Sequence, residues 1–154
     1  MSDNLRTILA RDHAAWLNEV RTAIGPAQAS TAGPWARWQA LRYLDQTFPA
    51  RVTRERRLVE ALGERLSETD RAQLWALGEL LDVLPAYLSH LVGLCHRASE
   101  FADVTARVTA ALDRWCRALE QAVARVPTSA VPAGLRDAFG LPASAPAAPN
   151  AALV

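Results

Sequence analysis

The chain contains no lysine; all 17 of its basic residues are arginine. That absence excludes Schiff-base chemistry on a lysine, a pyridoxal-phosphate enzyme and the lysine-bearing phosphate loop of nucleoside triphosphatases. Cysteine is scarce as well. Cys95 and Cys116 are the only two, each inside a helical pattern, so a disulfide framework is not indicated and reduced thiols in a cytoplasmic protein are the simplest expectation. Glycine numbers 7 in 154 residues, with no GxGxxG run to cradle a dinucleotide. Net charge is nearly absent, at +1, so no global field selects nucleic acid or an anionic membrane surface. The opening MSDNLRTILARDHAAW is charged and amphipathic, without the n-region and h-region of a secretory signal, which again favours the cytoplasm. Strand candidates and internal repeats are missing too.

What is present is helical periodicity with clear punctuation, over a composition 51% hydrophobic and 21% charged that suits a globular domain. A first helix is expected over 3–24, with Leu5, Leu9, Trp16, Val20 and Ile24 on one stripe and a stop at the Gly25-Pro26 step. Pro34 sits where a first-turn proline belongs and opens a second helix that runs to the Phe48-Pro49 step. A third is expected over 50–66, with Leu58, Val59, Leu62 and Leu66 inward. Ser67, three residues before Asp70, resembles a capping box and launches a long helix to about residue 99. The last strong helix, 103–126, carries the most regular heptad-like pattern, from Val104 and Val108 to Trp115, Leu119 and Val126. A short helix over 134–139 is possible by composition, and 141–154 reads as a disordered Pro/Ala-rich tail. The expected fold is all-α: a single-domain bundle of about five helices over 1–140, with a long central helix kinked at Pro85.

Residues 74–95, LWALGELLDVLPAYLSHLVGLC, invite a membrane reading, with eight leucines in 22 positions. Two central acids cost roughly 5–7 kcal/mol on an insertion scale where eight leucines return roughly 2.4–5 kcal/mol. No membrane association is expected. With Glu79 set at zero and about 100° per residue, the apolar side chains fill an arc from about 40° to about 220°, the pattern of a bundle spine with neighbours on several sides. Glu79, Asp82 and His90 then fall on the solvent side, where no bundle metal site with its inward Glu-x-x-His pairs can form. Zinc at Cys95, Cys116, His90 and His96 fails on geometry, because adjacent Cys95 and His96 diverge by about 100° on a helix. No metal and no cofactor is expected.

Three patterns break their surroundings. His13 lies on the apolar stripe of the first helix, and a buried imidazole there needs a hydrogen-bond partner across the bundle. Together with Arg6 it has a spacing similar to the loose Arg…His spacing of HEPN ribonucleases. That likeness covers two residues, on the first helix rather than a late one, and no family is claimed from it. It is the one catalytic hint in the chain, and no catalytic residues are assigned. Arginines cluster at Arg42, Arg51, Arg54, Arg56 and Arg57, and a second row of Arg107, Arg114 and Arg125 follows the outer face of the last helix. With acids interleaved, these are either solvated ion-paired faces or a patch for nucleic acid or an acidic partner. Of five tryptophans, Trp16, Trp38 and Trp115 lie on or beside core stripes, whereas Trp35 and Trp75 point away from theirs. Either Trp35 seals the 25–33 loop and Trp75 packs under a crossing helix, or the two mark a protein interface.

The function expected from these residues is a small helical protein-interaction module: a regulator, adaptor, inhibitor or small subunit, acting through Trp35, Trp75 and the face carrying Arg107 and Arg114. The 103–126 helix could pair with a copy of itself. The alternative is a nucleic-acid-associated accessory protein using the arginine cluster.

Overall fold

The computed structural model describes residues 5–29, 32–94, 98–127 and 133–138. Six helices follow one another: α1 Leu5–Ile24, α2 Pro34–Gln46, α3 Phe48–Leu62, α4 Glu68–Leu94, α5 Ala98–Ala124 and a short α6 Ala133–Ala138. Among the described residues there is no strand, and the domain is all-α with one continuous core. The segment 141–154, expected as a disordered tail, lies outside the described residues.

Local chemistry sets the boundaries. Gly33 stands at the N-cap of α2 with Pro34 in the first turn, where a missing N–H costs nothing. Thr47 separates α2 from α3, which starts at Phe48 with Pro49 in its first turn. The Phe48-Pro49 step thus ends one helix and immediately opens the next. The third helix stops four residues earlier than its pattern suggests. Gly63 adopts φ +48°, a conformation that side chains with a Cβ avoid, and a 3-10 turn over Gly63–Arg65 follows. Ser67 Oγ then accepts the Asp70 N–H at 3.0 Å, so the expected cap forms. The Asp70 carboxylate does not close a capping box; it receives both hydrogen bonds, 2.8 Å each, from Arg125 at the end of α5.

α5 holds the molecule together. Its buried residues, from Phe101 and Val104 through Trp115, Cys116 and Leu119 to Val123, cover an arc of about 160°. It packs on α1, on α4 and on the 3-10 turn Gly25–Gln28. Gln28 of that turn donates to the Thr105 carbonyl at 3.4 Å and to Thr109 Oγ1 at 3.1 Å. The regular stripe expected to be available for self-pairing is therefore already covered within the bundle.

α4 runs unbroken through Pro85, and among the described residues no helix is long and apolar enough to cross a membrane. Its buried face is narrower than its apolar arc. Leu74, Leu77, Gly78, Leu81, Pro85 and Leu88 are buried, and they occupy only about 160° to 260° on the Glu79 scale. Leu80, Val83 and Tyr87, expected inward as part of the spine, are exposed. α2 and α3 cover one side of α4 and α5 another, and the side that carries Leu80, Val83 and Tyr87 is left exposed.

Candidate interaction surface and the buried ion cluster

Two titratable residues that interrupt core stripes meet each other. His13 of α1 and Glu55 of α3 are both wholly buried, with His13 Nε2 2.5 Å from Glu55 Oε1. His13 Nδ1 lies 2.8 Å from Glu120 Oε2 of α5. Trp115 Nε1–H donates to Glu55 Oε1 at 3.0 Å. Arg51 reaches Glu55 Oε2 at 3.6 Å, makes a short ion pair with Asp12, and lays its guanidinium 4.6 Å from the centre of the Trp16 ring. Both ring nitrogens face carboxylate oxygens, so the ring is a doubly donating imidazolium. Burial alone would lower its pKa; the Cys116 sulfur and the Glu55 carboxylate outweigh that and raise it to about 10. Burial also pushes the Cys116 thiol up and keeps it neutral, so the deciding charge is that of the carboxylates. Burial works against the Glu55 anion as well, yet the His13 hydrogen bond and charge hold its carboxyl below the usual range.

This cluster ties α1, α3 and α5 together, and His13 is the cross-bundle-bonded core histidine. Arg6 is exposed while His13 is enclosed with both nitrogens engaged, so the two do not form an accessible pair. The sequence pattern alone did not single out Glu55. Its signal was its place on the stripe Phe48, Val52, Leu58 and Leu62 of α3, hidden within the run RVTRERR.

The arginine cluster does not form one outward patch. Arg51 belongs to the buried cluster, and Arg56 crosses to α4, 2.8 Å from Asp82 and 3.6 Å from Glu79. There it passes so close that a Cβ on Gly78 would lie 3.1 Å from its Nε and Nη2. Arg42 donates to Gln46 and stands over Trp38, Arg54 is partly buried, and Arg57 is exposed. In the second row Arg107 pairs with Asp103 at 3.3 Å, Arg114 is exposed, and Arg125 is bound to Asp70. His90 is exposed, and Cys95 and His96 lie outside the described residues.

The tryptophans sort cleanly. Trp16 and Trp115 are core, whereas Trp35 is 66% and Trp75 70% exposed. Trp38, expected beside the core, is 47% exposed, because the buried face of α2 consists only of Ala40 and Leu44. Trp35 therefore does not seal the 25–33 loop. It stacks on Trp38, with centroids 5.0 Å apart, and the Arg42 guanidinium stands over the Trp38 ring, 5.2 Å from its centre. Positions 35, 38 and 42 share one helix face by the three- and four-residue rule. The column flanks an open groove of about 650 Å³ between α1 and α2, lined also by Thr22, Gln39, Tyr43 and Gln46. Tyr43 donates its hydroxyl to Glu19 at 2.6 Å. Trp75, on α4, has no such aromatic companion among the described residues.

Compared with known proteins, the chain matches no family model, no curated sequence and no solved structure.

Proposed function

We propose that the chain is a small helical protein-interaction module whose working surface is the Trp35–Trp38–Arg42 face of α2. One observation carries this reading: two indoles stacked on each other and held in solvent beside a groove, with a guanidinium closing the column. Large aromatics and arginine dominate binding hot spots because they bury much area with few rotamers to freeze. A stack that is ordered before binding loses little further entropy when a partner arrives. A cytoplasmic regulator or adaptor fits a free, buried Cys116.

The nucleic-acid alternative rests on arginines of which Arg51 and Arg56 are committed to carboxylates on other helices, and it takes second place for that reason. A peptide-display selection on the immobilised protein, with the selected binders then measured on Trp35→Ala and Trp38→Ala, tests the main reading. Selected sequences should bind with a Kd at least about 30-fold weaker for Trp38→Ala, the cost of about 2 kcal/mol typical of a hot spot. Binders indifferent to both Trp35→Ala and Trp38→Ala would refute it. A salt-sensitive shift of single-stranded RNA lost on Arg54→Glu/Arg57→Glu would favour the alternative.

A further inference from the structure

A second surface is built for a different occupant. On α4, Gln73, Ala76, Leu80, Val83, Tyr87 and His90 are all exposed, with Leu80, Val83 and Tyr87 at 38%, 55% and 50%. They fall within about 100° of arc and follow the 3-4 alternation of a coiled-coil seam. That order reads the same in both directions. Turned end for end about a two-fold axis between Leu80 and Val83, the seam sets Leu80 against Val83 of the partner subunit and the small Ala76 against the partner's Tyr87. Gln73 then meets the partner's His90. A two-fold interface requires this kind of self-complementarity, since each contact must occur twice with its roles exchanged.

We infer that α4 pairs antiparallel with α4 of a second copy of this chain through this seam. Charge permits it: no acidic or arginine side chain lies within the arc, and the bordering Glu79 is held by Arg56. A net charge of +1 adds no repulsion between copies. Size sets the strength. About 25 Å of helix roughly 10–12 Å wide gives each copy a footprint of about 250–300 Å². That is about a third of what one partner contributes to a standard stable interface, so the dimer dissociates on dilution. The inference is independent of the α2 face, which lies on another helix.

Sedimentation velocity of the full chain from about 1 to 100 μM tests it. The expected result is a concentration-dependent dimer. Leu80→Arg and Val83→Glu, both at exposed positions, each weaken it at least tenfold while circular dichroism stays unchanged. An equimolar mixture of the two single variants, or the double variant Leu80→Arg/Val83→Glu, recovers it, because position 80 faces position 83 across the axis. A wild-type monomer throughout, as when the chain's own 141–154 or another protein covers the seam, overturns the inference. A dimer insensitive to the single changes, or one that the double variant fails to restore, overturns it equally.

Discussion

The buried pair of His13 and Glu55 makes the strongest demand on the physics, and Glu55→Gln probes it with almost no change of shape. The amide still offers an oxygen to Trp115 Nε1 and to His13, so packing and hydrogen-bond count are largely kept while the charge is lost. Removing one partner of a buried ion pair leaves the other uncompensated and costs about 3–5 kcal/mol. That is a large part of the 5–15 kcal/mol expected for a domain. The pH dependence is more diagnostic still. The folded His13 titrates at about 10 and the unfolded one near 6.5, so its stabilisation is complete below pH 6.5 and is lost as pH rises toward 10. At about 1.4 kcal/mol per pH unit, the decline across that window is on the order of 5 kcal/mol. Glu55, with its folded pKa lowered, contributes in the opposite sense: its share is present above the ordinary carboxylate range and is lost on acidification.

Without lysine the chain has few other groups that titrate between pH 6.5 and 10, and arginine stays charged throughout, so the slope is readable. Urea unfolding followed by far-ultraviolet circular dichroism at pH 6.5, 8 and 9.5 measures it. The wild type should lose stability steadily across the series. Glu55→Gln should start lower and decline less steeply, because only the partly exposed Glu120 carboxylate then still favours the imidazolium. The double change His13→Leu/Glu55→Gln should recover part of the loss, since no buried charge is left unpaired. A flat wild-type profile, or a loss below about 1 kcal/mol for Glu55→Gln, would refute the ion-pair reasoning.

Two glycines give sharper local tests. Gly63→Ala forces a Cβ into the φ +48° turn that ends α3 and should cost about 1–2 kcal/mol, lowering Tm by several degrees in a thermal melt; an unchanged Tm would mean that the turn readily relaxes. Gly78→Ala brings a Cβ against Arg56, so the gain of about 0.5–1 kcal/mol from better helix propensity should emerge only in an Arg56→Ala background. Equal effects in both backgrounds, measured as a double-mutant cycle by urea unfolding, would exclude the close approach as the reason for glycine there.

The helices were legible in the sequence wherever one local signal sufficed. The α1 stripe from Leu5 to Ile24, the Pro34 opening, the Ser67 cap and the α5 stripe are all readable from neighbours within a turn or two. The candidate sites were less so, because their partners are distant. Glu55 meets His13 across 42 positions of chain and Trp115 across 60. Within RVTRERR composition alone does not distinguish the acid that turns inward from the arginines around it. Its place on the α3 stripe does, and an acid and a histidine each interrupting a core stripe are natural partners. Trp38 and the Leu80, Val83 and Tyr87 positions failed for another reason. Periodicity reports which side of a helix is apolar, and tertiary arrangement decides how much of that side is covered.

That distinction locates the surfaces proposed for binding. Among the described residues the six exposed large hydrophobics are Trp35, Trp38, Trp75, Leu80, Val83 and Tyr87, and all six lie on α2 and α4. α5, with the most regular apolar pattern, exposes none, because its stripe is matched in width by the α1 and α4 faces against it. α1 and α3 instead place a charge on the stripe and neutralise it against each other. The fold therefore consumes its most regular helix inside the bundle and leaves its apolar surplus on α2 and α4, whose apolar sides are only partly covered. If that surplus were only loosely packed core, changing it would alter stability. If it serves binding, Trp38→Ala and Val83→Glu should leave the unfolding free energy within about 0.5 kcal/mol of wild type, as surface substitutions do, while weakening their separate associations.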